Sequence, residues 1–330
     1  MRKPKIGVVI QQKLLGEIFT PEDRARLDKL GRVTWCQAEE KCSSEEAIAV
    51  LQGCEVGVGS WGTPHPSTEG LLEACPDLRL WVHAAGTVKY MFTAALKDRD
   101  LVIASCAPAT AEQVAEVAVG ELILGVRRIL ENAARNRLGK TGRPANCRGL
   151  GESTIGIIGA SQVGRRVIGF LKPFGPRILL FDPYVSKKEA RQLGAELRSS
   201  VTDLCRECDA LSIHAPANPD CEKMVGRKQL AAMKDDCVIV NTARGIIIDE
   251  AALIDELQKG RLFAFLDVTR PEPADDDSPL RKLPNVVLTS HIAGGQTPRI
   301  GAQVVRDVKA WIASKPLTMT VTWKDLDRVA

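Results

Sequence analysis

The sequence predicts an α/β protein with two doubly wound domains, each built around a parallel sheet. Short runs rich in Val, Ile and Leu alternate with helical patterns along nearly all of the 330 residues. These runs are apolar almost throughout, which is typical of parallel strands covered by helices on both faces. There are more of them than one sheet of ordinary size accommodates, so we expect two sheets.

The predicted strands form two series that a long helical segment separates. The first series comprises residues 5–10, 33–35, 56–59, 78–83 and 101–104, and the second comprises residues 154–158, 178–182, 210–214, 238–241, 263–268 and 286–288. Helical patterns fill most of the intervals, because the connection between two parallel strands must cross back over the sheet.

The segment between the two series is predicted to be one long helix over residues 111–137. It is richer in Ala, Leu and Val than a helix that faces solvent, so it suits a link between domains or a contact with a second subunit. A loop over residues 139–151 follows it. A last helix over residues 298–314 is expected to return to the first domain.

Composition and charge exclude several classes of protein. Lys and Arg total 45 against 41 Asp and Glu, a net charge of +4, which is too balanced for a nucleic-acid binder or a polybasic membrane anchor. No apolar run approaches the roughly 20 residues that a bilayer span needs. The apolar stretch near the N-terminus is too short for a signal peptide. We therefore expect no nucleic-acid partner and no membrane partner.

The ten cysteines are spaced irregularly, which indicates reduced thiols and a cytoplasmic protein. Cys205 and Cys208 have C-x-x-C spacing, but no second such pair and no ligand-spaced histidine pair completes a zinc set. The sequence therefore predicts no metal site.

A glycine-rich turn opens the second series of strands. Residues 154–165 read TIGIIGASQVGR, a strand followed by a tight turn and a helix that begins near Gln162. Gly159-x-Ser161-x-x-Gly164 is the dinucleotide-binding pattern with its middle glycine replaced. The first glycine permits the turn, and the third lets the helix approach the strand closely.

The turn predicts where a cofactor would bind. A pyrophosphate would lie on the amides of Gln162 and Val163 at the positive end of the helix, with the Ser161 hydroxyl able to donate to a phosphate oxygen. Such a turn also occurs as a plain connection between a strand and a helix. Asp182, at the end of the next strand, is placed to accept hydrogen bonds from ribose hydroxyls and to repel a 2′-phosphate, which favours NAD over NADP.

Polar residues follow three later strands. Arg244, Glu272 and His291 each come shortly after an apolar run, and the carboxyl ends of strands in open α/β sheets line the ligand crevice. Arg244 would hold a substrate carboxylate, and His291 would exchange a proton with the neighbouring oxygen. Glu272 would orient the imidazole and favour its protonated form. Taken singly, these residues are equally explained as a surface charge, a loop carboxylate and a strand-end histidine.

Four blocks of sequence resemble the signature blocks of the D-isomer-specific 2-hydroxyacid dehydrogenases. They are NTARG at 241–245, DE at 249–250, LDVTRPEP at 266–273 and HIAG at 291–294. By matching position, Arg244, Glu272 and His291 correspond to the family's substrate arginine, supporting glutamate and acid–base histidine. The resemblance implies an NAD-dependent oxidoreductase that interconverts a small 2-hydroxy acid and its 2-keto acid.

The resemblance also implies further binding residues. Asp267 matches the aspartate that contacts the nicotinamide amide, and the loop after residue 83 resembles the one that grips the substrate carboxylate. The cofactor contacts that it implies, together with those of the glycine-rich turn, are Gly159, Ser161, Gln162, Val163, Gly164, Asp182, His214, Ala215, Pro216, Thr242, Ala243, Arg244, Asp267, His291, Gly294 and Thr110. The implied substrate contacts are Ala84, Ala85, Gly86, Arg244 and His291.

The family's topology has a Rossmann NAD-binding domain inserted into a smaller, flavodoxin-like substrate-binding domain. Here the inserted domain would be residues 108–295, and the substrate-binding domain residues 1–107 and 296–330. Two subunits would form a homodimer through the helix at residues 111–137. The rival hypothesis is an NAD(H)-sensing protein of the same fold without turnover, and a reductase of a carbonyl that is not an acid is a third.

Several positions depart from the family's pattern. Ser161 replaces the middle glycine of the turn, and Thr110 stands where many members carry asparagine. Val88 and Lys89 stand where an Asp or Asn usually follows the carboxylate-binding loop, and Ser290 replaces the proline before the histidine. Because these changes fall where substrates are selected, the particular 2-hydroxy acid and the physiological direction stay open.

Overall fold

The computed structural model describes residues 3–327 and residue 329, which form two compact units. Unit 1 contains the chain up to Thr110 and again from Gly295 onward, and unit 2 contains Ala111–Gly294. Each unit has an α/β architecture with its own sheet, so the predicted fold class of two doubly wound α/β units is confirmed.

Unit 1 is built on six strands. In chain order its elements are β1 (Lys5–Val8), α1 (Gln12–Ile18), α2 (Pro21–Leu30), β2 (Arg32–Trp35), α3 (Ser44–Leu51), β3 (Val56–Gly59), α4 (Leu71–Ala74), β4 (Leu80–His83), α5 (Ala94–Lys97) and β5 (Val102–Ser105). Helix α6 (Ala107–Val126) begins in this unit and continues into unit 2.

Unit 2 is built on seven strands. Its further elements are α7 (Ile129–Arg137), β6 (Thr154–Ile158), α8 (Gln162–Leu171), β7 (Arg177–Phe181), α9 (Lys187–Leu193), β8 (Glu196–Leu197), α10 (Val201–Glu207), β9 (Ala210–Ile213), α11 (Arg227–Ala232), β10 (Cys237–Asn241), α12 (Glu250–Gln258), β11 (Leu262–Leu266) and β12 (Val286–Leu288). The chain then completes unit 1 with α13 (Pro298–Ile312) and β13 (Thr320–Val321).

The strand orders explain where ligand-binding residues gather. The sheet of unit 2 has the order β12-β11-β10-β9-β6-β7-β8 and is parallel throughout. Its order reverses between β6 and β9, and ligands of open α/β sheets bind at the carboxyl ends of strands beside such a reversal. The sheet of unit 1 has the order β13-β5-β4-β3-β1-β2, and β13 alone among its described strands is antiparallel.

Both faces of the unit 2 sheet are buried, as near-continuous apolar strands require. Ile155 and Ile157 of β6 pack on one face, whereas Leu211 and Ile213 of β9 pack on the other, all at 0% exposure. The sequence did not predict β8 or β13, because each has only two residues and no apolar run.

The predicted single helix over residues 111–137 is wrong. Helix α6 ends at Val126, and α7 begins at Ile129 after a left-handed residue, Arg128, at φ +51°. Arg128 is buried, its guanidinium lies 3.7 Å from the centre of the Phe263 ring, and it pairs with Asp236. The helix therefore breaks where the Arg128 side chain turns into the protein.

Among the residues that the structure describes, none of the helices is both long enough and apolar enough to cross a membrane.

Candidate active site

The two glycines of the turn after β6 are needed for close backbone contacts. Gly159 has φ +90°, and a Cβ there would lie 2.8 Å from the backbone nitrogen of Ala215. A Cβ at Gly164 would overlap the carbonyl oxygen of Gly159. Any larger residue would push α8 away from β6 or displace the chain that follows β9, so both predicted reasons for glycine have a counterpart in the structure.

Ser161, which replaces the middle glycine, caps helix α8. Its Oγ accepts a hydrogen bond of 3.3 Å from the backbone nitrogen of Gly164. A lone pair of the hydroxyl is therefore used by the helix, while its proton remains available to an anion. The amides of Gln162 and Val163 lie in the first turn, where no helical acceptor exists for them. This end of α8 can bind a negatively charged group.

Asp182 is held at the end of β7, beside the glycine turn. Its Oδ2 accepts a hydrogen bond of 2.8 Å from the Ala160 amide, and its Oδ1 accepts one of 2.8 Å from the Tyr184 amide. These two bonds fix the carboxylate against the turn, which is the position that the sequence predicts for recognition of a ribose.

Two buried polar atoms, at the ends of β9 and β10, lack hydrogen-bond partners and are therefore suited to contact a bound dinucleotide. The Nδ1 of His214 and the Oγ1 of Thr242 have no hydrogen-bond partner among the described residues, although both are buried. His214 is neutral, because burial lowers its pKa to about 3, and its Nε2 lies 2.8 Å from the Ser212 hydroxyl. Buried polar groups in folded proteins are normally paired, so these two atoms suit hydrogen bonds to a bound ligand.

The turn that carries Arg244 is locked by the side chain of Asn241. Its Nδ2 donates to the Arg244 carbonyl at 2.9 Å, and its Oδ1 accepts from the Ala243 amide at 3.1 Å. The next residue is Gly245, and only glycine fits there, because a Cβ would overlap the Thr269 carbonyl. Burial lowers the pKa of Arg244, and the nearby Glu272 partly offsets this effect. The guanidinium is therefore a partly desolvated cation, which binds a carboxylate strongly.

The loop that carries His291 is tied to Asp267. Asp267 Oδ1 accepts hydrogen bonds from the Thr289 hydroxyl at 2.6 Å and the Ile292 amide at 2.8 Å, and Oδ2 accepts one from the Ala293 amide at 2.9 Å. The His291 amide donates to the Asp267 carbonyl at 2.9 Å. Buried Asp267 thus organises the loop as well as occupying a predicted cofactor position.

His291 and Glu272 form a hydrogen-bonded pair. The Nδ1 of His291 contacts Glu272 Oε1, which leaves the Nε2 of the ring for a substrate. The side chains are 45% and 38% exposed. His291 has φ +55°, a conformation that a non-glycine residue adopts rarely and mostly at functional sites. Unit 2 thus brings together Glu272 and His291, and Arg244 lies within the electrostatic reach of Glu272.

A buried carboxyl group lies near Asp267. Glu121 of α6 is 8% exposed, and its Oε2 has no partner in the described part of the chain. Burial, together with the charge of Asp267, raises the pKa of Glu121 to about 7. Gly294 also meets α6, where a Cβ would lie 2.7 Å from Cγ2 of Val114. The first turns of α6 therefore pack against the end of the His291 loop.

The predicted substrate loop of unit 1 follows β4. The Ala84 amide donates to the Gly59 carbonyl at 2.7 Å, so it is not available to a ligand. The carbonyls of Ala85 and Gly86 accept from the Ser105 hydroxyl at 3.4 and 2.6 Å. The amides of Ala85 and Gly86 make no hydrogen bond to described residues, and they are the donors that the loop can offer to a carboxylate.

Thr110 lies beside the same loop, because a Cβ at Gly86 would be 3.8 Å from Thr110 Oγ1. That hydroxyl donates to the Ala107 carbonyl at 3.1 Å.

Sequence reasoning assigned no role to Asn241, Thr289 or Ser105, each of which positions a predicted site residue. Asn241 could have been found, because an asparagine at a strand end often bonds to the backbone two residues later. Thr289 and Ser105 gave no such signal, since their partners lie about 20 residues away in the chain. Residues 3–327 and 329 hold no group of His, Cys, Asp and Glu that could bind a metal ion.

Comparisons with known proteins identify the family of this chain. The family model described as "D-isomer specific 2-hydroxyacid dehydrogenase, NAD binding domain" matches residues 119–293, more than half of the chain. The chain is 31% identical over 268 residues to the D-3-phosphoglycerate dehydrogenase of Methanocaldococcus jannaschii, a match that covers 80% of this chain and 50% of that protein.

Two further relatives match over most of their length. The glycerate dehydrogenase of Methylorubrum extorquens is 28% identical over 291 residues, which cover 84% of this chain and 89% of that protein. The solved structure of a 2-hydroxyacid dehydrogenase from Ketogulonicigenium vulgare Y25 superimposes with a TM-score of 0.74 at 25% identity, covering 98% of this chain and 99% of that chain.

The chain spans about half the length of the D-3-phosphoglycerate dehydrogenases that it matches. The family match nevertheless covers nearly the whole of unit 2, including the turn after β6 and the Arg244, Glu272 and His291 segments. The chain therefore belongs to the D-isomer specific 2-hydroxyacid dehydrogenase family, and residues 119–293 of unit 2 match the NAD binding domain of that family.

Proposed function

We propose that this protein is an NAD-dependent oxidoreductase that interconverts a small 2-hydroxy acid and its 2-keto acid. The observation that carries the proposal is the His291–Glu272 hydrogen bond, with the partly desolvated Arg244 beside it in unit 2. A protein that only senses NAD(H) has no need for an acid–base pair beside a carboxylate-binding cation.

The residues have separate roles in this reaction. Bound NADH supplies the hydride. Arg244 binds the substrate carboxylate and polarises the neighbouring carbonyl, because a desolvated guanidinium interacts strongly with oxygen. His291 donates a proton from Nε2 to the carbonyl oxygen during reduction and takes it back during oxidation. Glu272 accepts from Nδ1, which fixes the orientation of the ring. The amides of Ala85 and Gly86 also bind the carboxylate.

All of the proposed cofactor contacts except Thr110 belong to unit 2. The amides of Gln162 and Val163 and the Ser161 hydroxyl hold the pyrophosphate at the start of α8, and Asp182 accepts from the ribose hydroxyls. His214 and Thr242 offer their buried polar atoms to the cofactor. The remaining contacts are the predicted ones, namely Gly159, Gly164, Ala215, Pro216, Ala243, Arg244, Asp267, His291, Gly294 and Thr110.

The test is NADH oxidation with a panel of 2-keto acids, from glyoxylate and hydroxypyruvate to branched and aromatic members, with NADPH in parallel. We expect turnover with at least one acid and a preference for NADH, because Asp182 repels a 2′-phosphate. NADH binding without turnover of any member would contradict the proposal and favour the sensing protein. Turnover of carbonyls without a carboxylate would contradict the role of Arg244.

We further propose that two copies form a homodimer through α6 and α7. Helix α7 has no buried residue, and Ile129, Leu130 and Leu138 are 45%, 43% and 74% exposed. Exposed apolar side chains in one segment suit a subunit contact. We expect Ile129→Glu to produce monomers in sedimentation equilibrium, and an unchanged mass would contradict this surface.

We also propose a cytoplasmic location. The irregular spacing of the cysteines supports it, because such spacing is typical of reduced thiols.

A further inference from the structure

Unit 1 contains a cavity that the reaction above does not use. It has a volume of about 660 Å³, within the range of small-molecule sites. Its walls come from the loop after β2, the loop after β3 and the segment between β4 and α5, with Lys41, Thr63, His65, Thr68 and Tyr90 among the lining residues. These loops follow the carboxyl ends of their strands, at the edge of the sheet where ligands bind in α/β folds.

His65 presents a hydrogen-bond donor in this cavity. Its Nδ1 lies 3.3 Å from the backbone nitrogen of Ser67, which can only donate, so Nδ1 is the acceptor. Burial lowers the pKa of His65, which makes the ring neutral at neutral pH and places its proton on Nε2. The ring is fixed at a T-shaped contact with Tyr90, at 4.8 Å between centres. Nε2 has no partner within the described residues.

The other polar groups of the cavity also favour an acceptor-rich ligand. Lys41 lines it and makes no ion pair within the described chain, and no carboxylate is among the described lining residues. The Thr68 hydroxyl already accepts from the His65 amide at 3.0 Å, so its proton is free to donate. One ammonium group and two neutral donors suit a ligand group with negative charge and several oxygens.

Hydrogen bonds connect the wall of the cavity to the segment that carries the loop assigned to the substrate carboxylate. Tyr90 follows residues 84–86 in the chain, and its hydroxyl lies 3.2 Å from Nε2 of His83, the residue before Ala84. The Tyr90 carbonyl accepts from the Ser67 hydroxyl at 3.3 Å, which ties the cavity wall to the same segment. A substrate whose carboxylate binds Ala85 and Gly86 can therefore extend toward Lys41.

We propose that this cavity binds the far end of the substrate, and that the preferred 2-keto acid carries a second anionic group, a carboxylate or a phosphate, which Lys41 and His65 recognise. This inference rests on the proposed function and specifies its substrate class. A charge-assisted hydrogen bond is strong enough to make kcat/KM for such an acid about 10-fold or more higher than for an acid that lacks the second anionic group.

The experiment compares pairs of acids that differ in whether they carry a second anionic group, and the members of the first pair also have the same number of carbons. We expect kcat/KM with NADH to be about 10-fold or more higher for 2-ketoglutarate than for 2-ketovalerate, or for phosphohydroxypyruvate than for hydroxypyruvate. The first pair tests a carboxylate and the second a phosphate. Lys41→Met and His65→Phe should each lower the ratio of the preferred pair. Lys97→Met, which removes an exposed lysine of α5 outside the cavity, serves as the control and should not change the ratio.

The outcomes separate this inference from the proposed function. Turnover with equal kcat/KM within both pairs, or ratios that Lys41→Met leaves unchanged, would overturn the inference while the function stands. If no keto acid is reduced, the proposed function is contradicted. Calorimetric titration of the NADH-loaded protein with 2-ketoglutarate and phosphohydroxypyruvate then tests whether the cavity binds a second anionic group. Binding of either acid that Lys41→Met weakens would support the cavity, and absent or unweakened binding would overturn it.

Discussion

At the scale of single residues, the proposed proton transfer depends on His291. Because its Nδ1 is held by Glu272, only Nε2 can exchange a proton with substrate. We expect His291→Ala to lower kcat about 100-fold or more, the range for lost acid–base catalysis, while NADH affinity stays nearly unchanged. Steady-state kinetics and quenching of NADH fluorescence measure the two quantities. A variant that retains wild-type kcat would remove His291 from this role.

Substitution of Arg244 by lysine distinguishes the effect of the planar guanidinium from that of the positive charge alone. Arg244→Lys keeps the charge but loses bidentate binding of a carboxylate. We expect KM for the keto acid to rise and kcat/KM to fall about 10- to 100-fold, which corresponds to one lost charge-assisted hydrogen bond. Affinity for NADH, measured separately, reports whether the cofactor contact of this residue is affected. Unchanged kcat/KM would contradict carboxylate recognition by Arg244.

The residues to which we assign chemistry could be proposed from the sequence, whereas the residues that hold them in place mostly could not. Arg244, Glu272 and His291 stand in recognisable motifs after apolar strands. Thr289 and Ser105 act on residues about 20 positions away, through contacts that only the folded chain creates. The same limit applies to Ser161, whose role as a helix cap depends on the backbone of α8.

At the scale of elements, the His291 loop depends on one carboxylate. Asp267→Asn exchanges an acceptor oxygen for a donor, which leaves a buried amide of the loop unpaired at a cost of about 1–3 kcal/mol. We expect both the free energy of unfolding and kcat to decrease, as measured by urea denaturation and NADH oxidation.

Thr289→Val is the matched control for Asp267→Asn, because it removes one of the three donors to Asp267 and keeps both backbone bonds. Its effects should be in the same direction and smaller. If the two variants lowered kcat equally, the backbone hydrogen bonds would not be what positions His291.

The break between α6 and α7 shows where helical periodicity fails as a guide. The pattern of apolar residues continues through Arg127 and Arg128, so nothing local indicates an end. The break is stabilised by the contact of Arg128 with Phe263 and Asp236, which lie more than 100 residues further along the chain. A tertiary contact thus overrides local propensity.

At the scale of the whole molecule, Glu121 links stability to pH. Its folded pKa of about 7 is above the ordinary value of 4.5, so the folded state holds the proton more tightly than the unfolded state. Stability is therefore lost as pH rises from about 4.5 through 7. We expect Glu121→Gln to be more stable than wild type by about 1–3 kcal/mol at pH 8.

The difference between Glu121→Gln and wild type should be several-fold smaller at pH 5, where Glu121 is mostly protonated in the folded protein. Chemical denaturation at the two pH values measures both free energies. Two buried histidines, His83 and His214, have pKa values near 3 and act in the opposite direction in both proteins, so the comparison between variants cancels them. An equal gain at both pH values would show that Glu121 does not titrate in this range.

The two sheets and nearly all strands of the molecule were predictable, because fully buried parallel strands leave continuous apolar runs. The exceptions are β8 and β13, two residues each. Strand β13 pairs Thr320 with Ala104, more than 200 residues earlier in the chain, and no local pattern indicates such a partner.

That pairing determines the order in which the chain can complete its parts during synthesis. Unit 2 is one uninterrupted segment, so all of its strands have been synthesised before α13 is made. Unit 1 instead needs Ile300 and Val304 in its core, a hydrogen bond from Gln303 to the Ser105 carbonyl, and β13 at its edge. Its first part must therefore wait, with apolar surface exposed, while unit 2 folds. The nascent chain is most vulnerable to aggregation in this interval.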